Sequence, residues 1–388
     1  MGKDFPVYLL NNAQFESLLS LADIPCPVAD FWPTNYPVEV AVARKERSTG
    51  QAHNEFIVET DGVSLKSDLS RRDLTRNAIA MLPDGTIVDP CKGTADIKCG
   101  ILRETNPAAF AEDPLRVLRV ARFRANNPSL IITPSLLSAI QQTLPAMKSL
   151  ASERIWAEIV KSDNILEFFN ALHDMKALMP LFPLIADLET CVETSKYHLE
   201  KNVLVHTFMV LNELPYDCPM HIQIAALFHD VAKPKAYRKH GKGYGHENLE
   251  EFGISLPLWI PAKIRAKAAL LIKNHQMIYI AHSMRPQKLA NFIKQYTSHS
   301  ADSLLQDQLT LARADKAGRI TDEPMSMYMS EFLPLLQADI MRYSPVPWIE
   351  AQEVSPTPGQ ISDQRVRDET ALARQYKIFI KAKENDKH

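Results

Sequence analysis

Strand-like patterns occupy the first hundred residues, and helical spacing takes over from about residue 107. Phe5–Leu9 is a brief apolar run, and Val38, Val40 and Val42 alternate with Glu39, Ala41 and Ala43 in the period of two that suits a half-buried strand. Between them, residues 10–37 have no regular period and end in FWPTNYP, which predicts irregular chain. Gly85-Thr-Ile-Val-Asp89-Pro90 predicts turn, strand, turn. Pro128 and Pro134 bracket a break, Glu153–Val160 is helical, and a long helical region runs from near Tyr197 to about residue 340. Pro345, Pro347, Pro356 and Pro358 with Gly359 mark a hinge before an amphipathic closing helix, Ile361–Lys383.

Composition narrows the function classes. With 46% hydrophobic residues in 388, the chain can bury sizeable cores, and its length suggests two or three domains of roughly 150 residues. A net charge of -2 excludes binding of nucleic acid by bulk positive charge, while leaving room for a local basic patch. Cys26, Cys91, Cys99, Cys191 and Cys218 form no C-x-x-C pair, which predicts reduced thiols and a cytoplasmic setting. No apolar run approaches the ~18 residues of a membrane span, and the N-terminus has neither signal- nor transit-peptide character. The G-x-G-x-x-G and G-x-x-x-x-G-K-[ST] patterns are absent, so the usual dinucleotide and P-loop classes fall away.

Histidines carry the first chemical signal. Eight of the 12 (His198, His206, His221, His229, His240, His246, His275, His282) fall within 85 residues, where an even scatter would put about 2.6. A His-Asp dipeptide alone means little, because His173-Asp174 is a second copy with no cluster around it. The company of His229-Asp230 is what distinguishes it. His206 sits in one apolar helical run (VLVHTFMVL), His229-Asp230 closes another (IQIAALFHD), and Asp315 lies in a third (LTLARADKAGR). Helices that each turn such a group inward can build a bundle metal site, and a His/carboxylate set suits a divalent transition metal such as Ni, Mn or Co. His246 and His275 are candidates for a second metal or for phosphate contacts. Lys233 is either a phosphate-directed cation or a helix C-terminal charge. His198, His221, His282 and His299 are taken as structural.

Arginines carry the second signal. Asp68-Leu-Ser-Arg71-Arg72-Asp73-Leu-Thr-Arg76 offers forked donors for phosphate, and Asp73 is placed to hold a ribose hydroxyl or orient a guanidinium. Asp113 before Pro114 is a clean helix cap. Arg116, Arg119 and Arg122 follow at intervals of three and so fill one arc of roughly 120°. No acids match them in the local sequence, which predicts anionic ligands for all three. Asp113 and Arg116 together would offer a base edge one acceptor and a set of donors.

These segments resemble a known family. RRDLTRNA at 71–78, IVDPCKGTADI at 87–97, FAEDPLRVLRVARF at 110–123 and SERIWAEIVK at 152–161 are similar to successive motifs of class II tRNA nucleotidyltransferases, the CCA-adding enzymes, whose fold poly(A) polymerases share. GKDFPVYL at 2–9 and VEVAVARKER at 38–47 resemble that family's head strands, and the His/HD/Asp set resembles the HD phosphohydrolase domain of its long bacterial branch. The resemblance implies an α+β fold: a small nucleotidyltransferase-like head (1–106), a helical neck and body (107–196), an all-α HD domain (197–343), and a hinge with a C-terminal helix (344–388). It implies that Arg72, Arg119, Arg122 and Arg154 contact incoming ATP or CTP, and that Asp113 and Arg116 read its base. It implies that His206, His229, Asp230 and Asp315 hold the HD metal, and that the substrate is the tRNA 3′ end.

There are two departures from the family pattern. The family's G-G-x-x-R-D turn and D-x-D pair, which holds Mg²⁺, do not occur in these 388 residues, where no two aspartates stand two apart. Glu39 matches the third head carboxylate. Transferase activity is therefore expected to need carboxylates from an N-terminal extension or a partner, a homodimer included. Arg76 stands where the family usually has an apolar residue. Three expectations follow: a CCA-adding transferase completed from elsewhere, an HD phosphohydrolase acting on 2′,3′-cyclic or 2′-phosphate ends, or a non-enzymatic tRNA-binding protein.

Overall fold

The computed structural model describes residues 8–21, 38–43, 45–48, 56–59, 62–82, 84–192, 202–296, 304–319, 332–352 and 354–385. Residues 5–7 and 22–37, with His198 and His299, lie outside them. The fold is α+β, and the chain forms two compact units, Met1–Phe182 and Pro183–His388.

The first unit carries the strands. Tyr8–Leu10 pairs antiparallel with Val38–Val40, and Lys45–Ser48 with Phe56–Glu59. Ala80–Met81 pairs with Ile87–Val88 across the expected turn, and Ile101–Leu102 runs parallel to Ile131–Ile132. That last strand occupies the proline-bracketed break, where no element was expected.

Residues 12–21 correct the expectation of irregular chain: Asn12–Leu21 is a helix. Its start is a reciprocal cap, with Gln14 N donating to Asn11 Oδ1 at 2.9 Å and Asn11 N to Gln14 Oε1 at 3.0 Å. Capping, rather than a strong apolar stripe, marks this helix.

Two features position the arginine segments. Helix Leu115–Asn126 buries Val117, Leu118, Val120 and Ala121, packing against helix Ile165–Asp174, whose Phe168 and Phe169 are fully buried. Helix Gly93–Lys98 lies so close to the Thr75–Asn77 turn that a Cβ at Gly93 would stand 2.0 Å from the Thr75 carbonyl oxygen. The glycine in IVDPCKG is therefore a packing requirement that holds the turn after Arg72 and Asp73.

The second unit is helical throughout its described residues. Helix Met220–Phe228 is apolar nearly all round, with Ile222 and Ile224–Phe228 buried, as a central helix should be. Helices Val203–Asn212, Ala262–Asn274 and Leu304–Ala317 surround it. Pro286–Lys294, Leu333–Arg342 and the closing helix Pro358–Asn385 pack together in a further layer.

Candidate functional site

In the first unit a cleft of about 550 Å³ is lined by Arg72, Asp73, Asp113, Arg116, Arg119 and Arg154, among others. Its charged groups are held in place by one another. Asp113 Oδ1 accepts from Leu115 N at 3.0 Å, the expected cap, while its Oδ2 accepts from Arg154 Nη2 at 2.9 Å. Asp73 Oδ2 takes Arg119 Nε at 2.6 Å, and its Oδ1 takes Leu74 N and Asn77 Nδ2. Burial works to raise the Asp73 pKa, but Arg119 and these hydrogen bonds hold it below its ordinary value. Arg116 donates to the Arg71 carbonyl at 2.9 Å, and Arg72 to the Asn77 carbonyl at 3.1 Å.

This corrects the expectation of three arginines without acids. Arg119 has Asp73, 46 residues away, and Arg122 has the buried Glu158 at 2.7 Å, 36 residues away. The partners are distant in sequence, so local spacing could not reveal them. Arg122 engages helix Ser152–Val160 and is not among the cleft-lining side chains, whereas Arg116 and Arg119 are. Arg76 places its guanidinium over the Phe123 ring, 5.3 Å from the centroid. Glu39 lies on its strand in register with Leu9.

The second unit gathers the histidines. His206 comes from the second turn of Val203–Asn212, and Asp315 from the last turn of Leu304–Ala317. His229 and His275 each cap the end of a helix, and His246 lies on the loop after Lys233–His240. All are buried, together with Asp230 and Lys233.

Every one of the four histidines uses Nδ1 in the same way. The ring nitrogen meets a backbone carbonyl: Gly318 for His206 (3.2 Å), Ala226 for His229 (2.7 Å), Gly243 for His246 and Ile272 for His275 (2.6 Å). A carbonyl only accepts, so each Nδ1 carries a proton, and each ring turns its Nε2, a lone-pair donor in the neutral tautomer, toward the cluster. Those nitrogens converge. His206 and His229 Nε2 are 3.4 Å apart, and His246 and His275 Nε2 are 3.1 Å apart.

Asp230 stands between the two pairs. Its Oδ2 is 3.1 Å from His229 Nε2 and 3.7 Å from His206 Nε2. Its Oδ1 is 3.0 Å from His246 Nε2 and 3.9 Å from His275 Nε2. Two triads with metal-binding spacing therefore share this carboxylate: His206, His229 and Asp230, and Asp230, His246 and His275. Asp315 Oδ1 adds to the first, 3.2 Å from His206 Nε2.

The electrostatics follow from that crowding. Burial opposes ionisation of Asp230 and Asp315, yet His229 and Lys233 beside the first, and Arg319 beside the second, hold both well below the usual carboxylate range. Burial, with His246 and His229 adjacent, pushes His275 down to about 3. Ring nitrogens and carboxylates that converge at these distances suit a cation, and the donor set fits divalent metal.

Residues 22–103 match the family model described as the poly A polymerase head domain. Over 335 residues the chain is 32% identical to the multifunctional CCA protein of Nitrosococcus oceani, covering 82% of this chain and 75% of that protein. The chain belongs to the CCA-adding tRNA nucleotidyltransferase family. The fold of this CCA-family chain is also similar to an apo form of a CCA-adding enzyme (TM-score 0.56, 16% identity, 88% of this chain and 73% of that one). A second neighbour is the Bacillus stearothermophilus CCA-adding enzyme in complex with CTP (TM-score 0.53, 18% identity, 90% and 80%).

Some site residues of this CCA-family chain escaped the sequence reading. Arg319 donates two bonds from Nη2 to Asp315, at 2.7 and 2.8 Å, and Tyr279 Oη donates to Asp315 Oδ2 at 3.0 Å. Arg319 stands one helical turn after Asp315 in ARADKAGR, a spacing that was available as a signal. Tyr279 had no local signal. Lys233 opens a helix rather than closing one, which corrects its expected role as a C-terminal charge, and its Nζ lies 2.9 Å from Asp230 Oδ2. Among the described residues no helix is long and apolar enough to cross a membrane.

Proposed function

We propose that the second unit is an HD-type, metal-dependent phosphohydrolase acting on 2′,3′-cyclic or 2′-phosphate ends of RNA in the cytoplasm. The first unit then supplies recognition of nucleotide and of the tRNA 3′ end. The observation that carries the reading is the convergence of four Nε2 lone pairs on Asp230.

His206, His229, Asp230 and Asp315 would hold one divalent ion such as Ni, Mn or Co, and His246 and His275 would share Asp230 with a second. When bound, the metal supplies an activated water near neutral pH and takes up negative charge on the phosphoester. The chain's own residues do the positioning. The four carbonyls fix each imidazole as the Nδ1–H tautomer and aim its Nε2 inward. Arg319 and Tyr279 orient Asp315, and Lys233 pairs with Asp230. The test is hydrolysis of adenosine 2′,3′-cyclic phosphate by chelator-stripped protein reloaded with Ni²⁺, Mn²⁺ or Co²⁺. Wild type should turn over and His229→Ala should not. A wild type inert with every metal, or a fully active variant, contradicts the reading.

A second reading rests on the cleft of the first unit. The Asp113–Arg154 pair and Arg116 present a pre-set acceptor and donors that suit a cytosine or adenine edge, as expected for CTP and ATP. Nucleotide transfer there would use Mg²⁺ with carboxylates beyond Glu39. Incorporation of labelled CTP into a tRNA lacking its CCA tests it, and its absence would leave the cleft a binding site.

A further inference from the structure

A second cleft, of about 690 Å³, lies within the Pro183–His388 unit. Its wall is made partly by the chain neighbours of two metal candidates: Glu247 follows His246, and Asn274 precedes His275. Lys273, Arg285 and Lys288 also line it, three cations against the one carboxylate of Glu247. Among the described residues none of the three pairs with an acid, and all are exposed. Asn274 is buried and bonded through Nδ2 to Gln295 Oε1 at 3.2 Å, which fixes the wall next to His275.

A cationic surface without matched acids, on a protein of net charge -2, selects for anions locally. A nucleoside cyclic phosphate carries a single negative charge and would leave most of these cations unused. A strand of phosphodiesters would not. We propose that this cleft seats the RNA strand that leads to the phosphate-bearing 3′ end, with Lys273, Arg285 and Lys288 on its backbone phosphates. The inference rests on the phosphohydrolase reading and adds the surface that holds its RNA substrate, the cleft lined by Lys273, Arg285 and Lys288.

The variant is Arg285→Ala/Lys288→Ala, whose exposed positions leave the fold intact. Four probes are used: a fluorescein-labelled oligoribonucleotide ending in 3′-phosphate, for binding to metal-stripped protein; the same strand ending in 2′,3′-cyclic phosphate; adenosine 2′,3′-cyclic phosphate; and bis(p-nitrophenyl) phosphate. Loss of two phosphate contacts to a single strand should lower the slope of log affinity against log salt by about 1.4. KM for the cyclic-ended strand should rise about tenfold at low salt with kcat held, while bis(p-nitrophenyl) phosphate turnover stays within about twofold. Unchanged strand binding and KM, with hydrolysis intact in wild type, would overturn the cleft assignment alone. An equal KM rise for adenosine 2′,3′-cyclic phosphate would also overturn it, by making the cleft a terminal-phosphate site. Weakened strand binding in a protein that hydrolyses nothing would remove the phosphohydrolase reading and keep the cleft.

Discussion

The backbone carbonyl of Gly318 accepts a hydrogen bond from Nδ1 of His206 at 3.2 Å, joining residues 112 apart in the chain. With the proton fixed there, the Nε2 lone pair of His206 faces Asp315 and His229. The approach is close because Gly318 has no side chain: a Cβ would stand 2.8 Å from both N and Cγ2 of Val210. Gly318→Ala should push the end of the Leu304–Ala317 helix away from Val203–Asn212, at a cost of roughly 1–3 kcal/mol. Metal affinity should weaken with it. Thermal unfolding with and without Mn²⁺ checks both effects, and a variant unchanged in each would contradict the account.

Arg319 compensates a carboxylate that is almost completely buried. Arg319→Ala should destabilise metal-free protein by about 3–5 kcal/mol, the cost of leaving a buried charge without its partner. Metal-loaded protein should lose less, because a cation again faces Asp315. Urea unfolding of both forms measures the difference, and equal losses would argue against Asp315 as a ligand.

His275 makes a pH prediction for the metal-stripped protein. Its folded pKa, about 3, lies below the ordinary 6.5, so the unfolded chain binds the proton first as pH falls. Its contribution to stability is complete above pH 6.5 and is lost between there and about pH 3. The loss approaches about 1.4 kcal/mol per pH unit for this group alone. Denaturant titrations of wild type and His275→Asn from pH 7 to 4 should show the smaller slope in the variant. Parallel curves would show that His275 does not titrate this way.

Arg154→Ala should release Asp113 Oδ2, which Arg154 holds at 2.9 Å, while the cap to Leu115 remains. Discrimination between CTP and ATP should then fall by about 1–3 kcal/mol in calorimetric titrations, as when one partner of a positioned polar pair is removed. Retained discrimination would return Asp113 and Arg154 to a purely structural role.

The first metal-candidate set was legible because His206, His229-Asp230 and Asp315 each sit in or close an apolar helical run that can be read locally. His206, His229 and Asp315 mark three different helices, and the structure brings all three together with Asp230. Other features depended on contacts between distant segments. Asp73 and Glu158 pair with Arg119 and Arg122 across 46 and 36 residues, so the arginine stripe looked acid-free when only neighbours were counted. The Asn11–Gln14 cap was local but carried no apolar period, so its helix was missed. The linking of His246 and His275 to the HD pair through opposite oxygens of Asp230 had no sequence signal at all.

The most direct measurement of that linking is the metal content of purified, Mn²⁺-reconstituted protein, determined by elemental analysis for four chains. Wild type should hold two ions per chain, His206→Ala and His246→Ala one each, and Asp230→Ala neither. An Asp230→Ala protein that keeps wild-type metal, or a wild type that binds none, would contradict a metal centre built around this carboxylate.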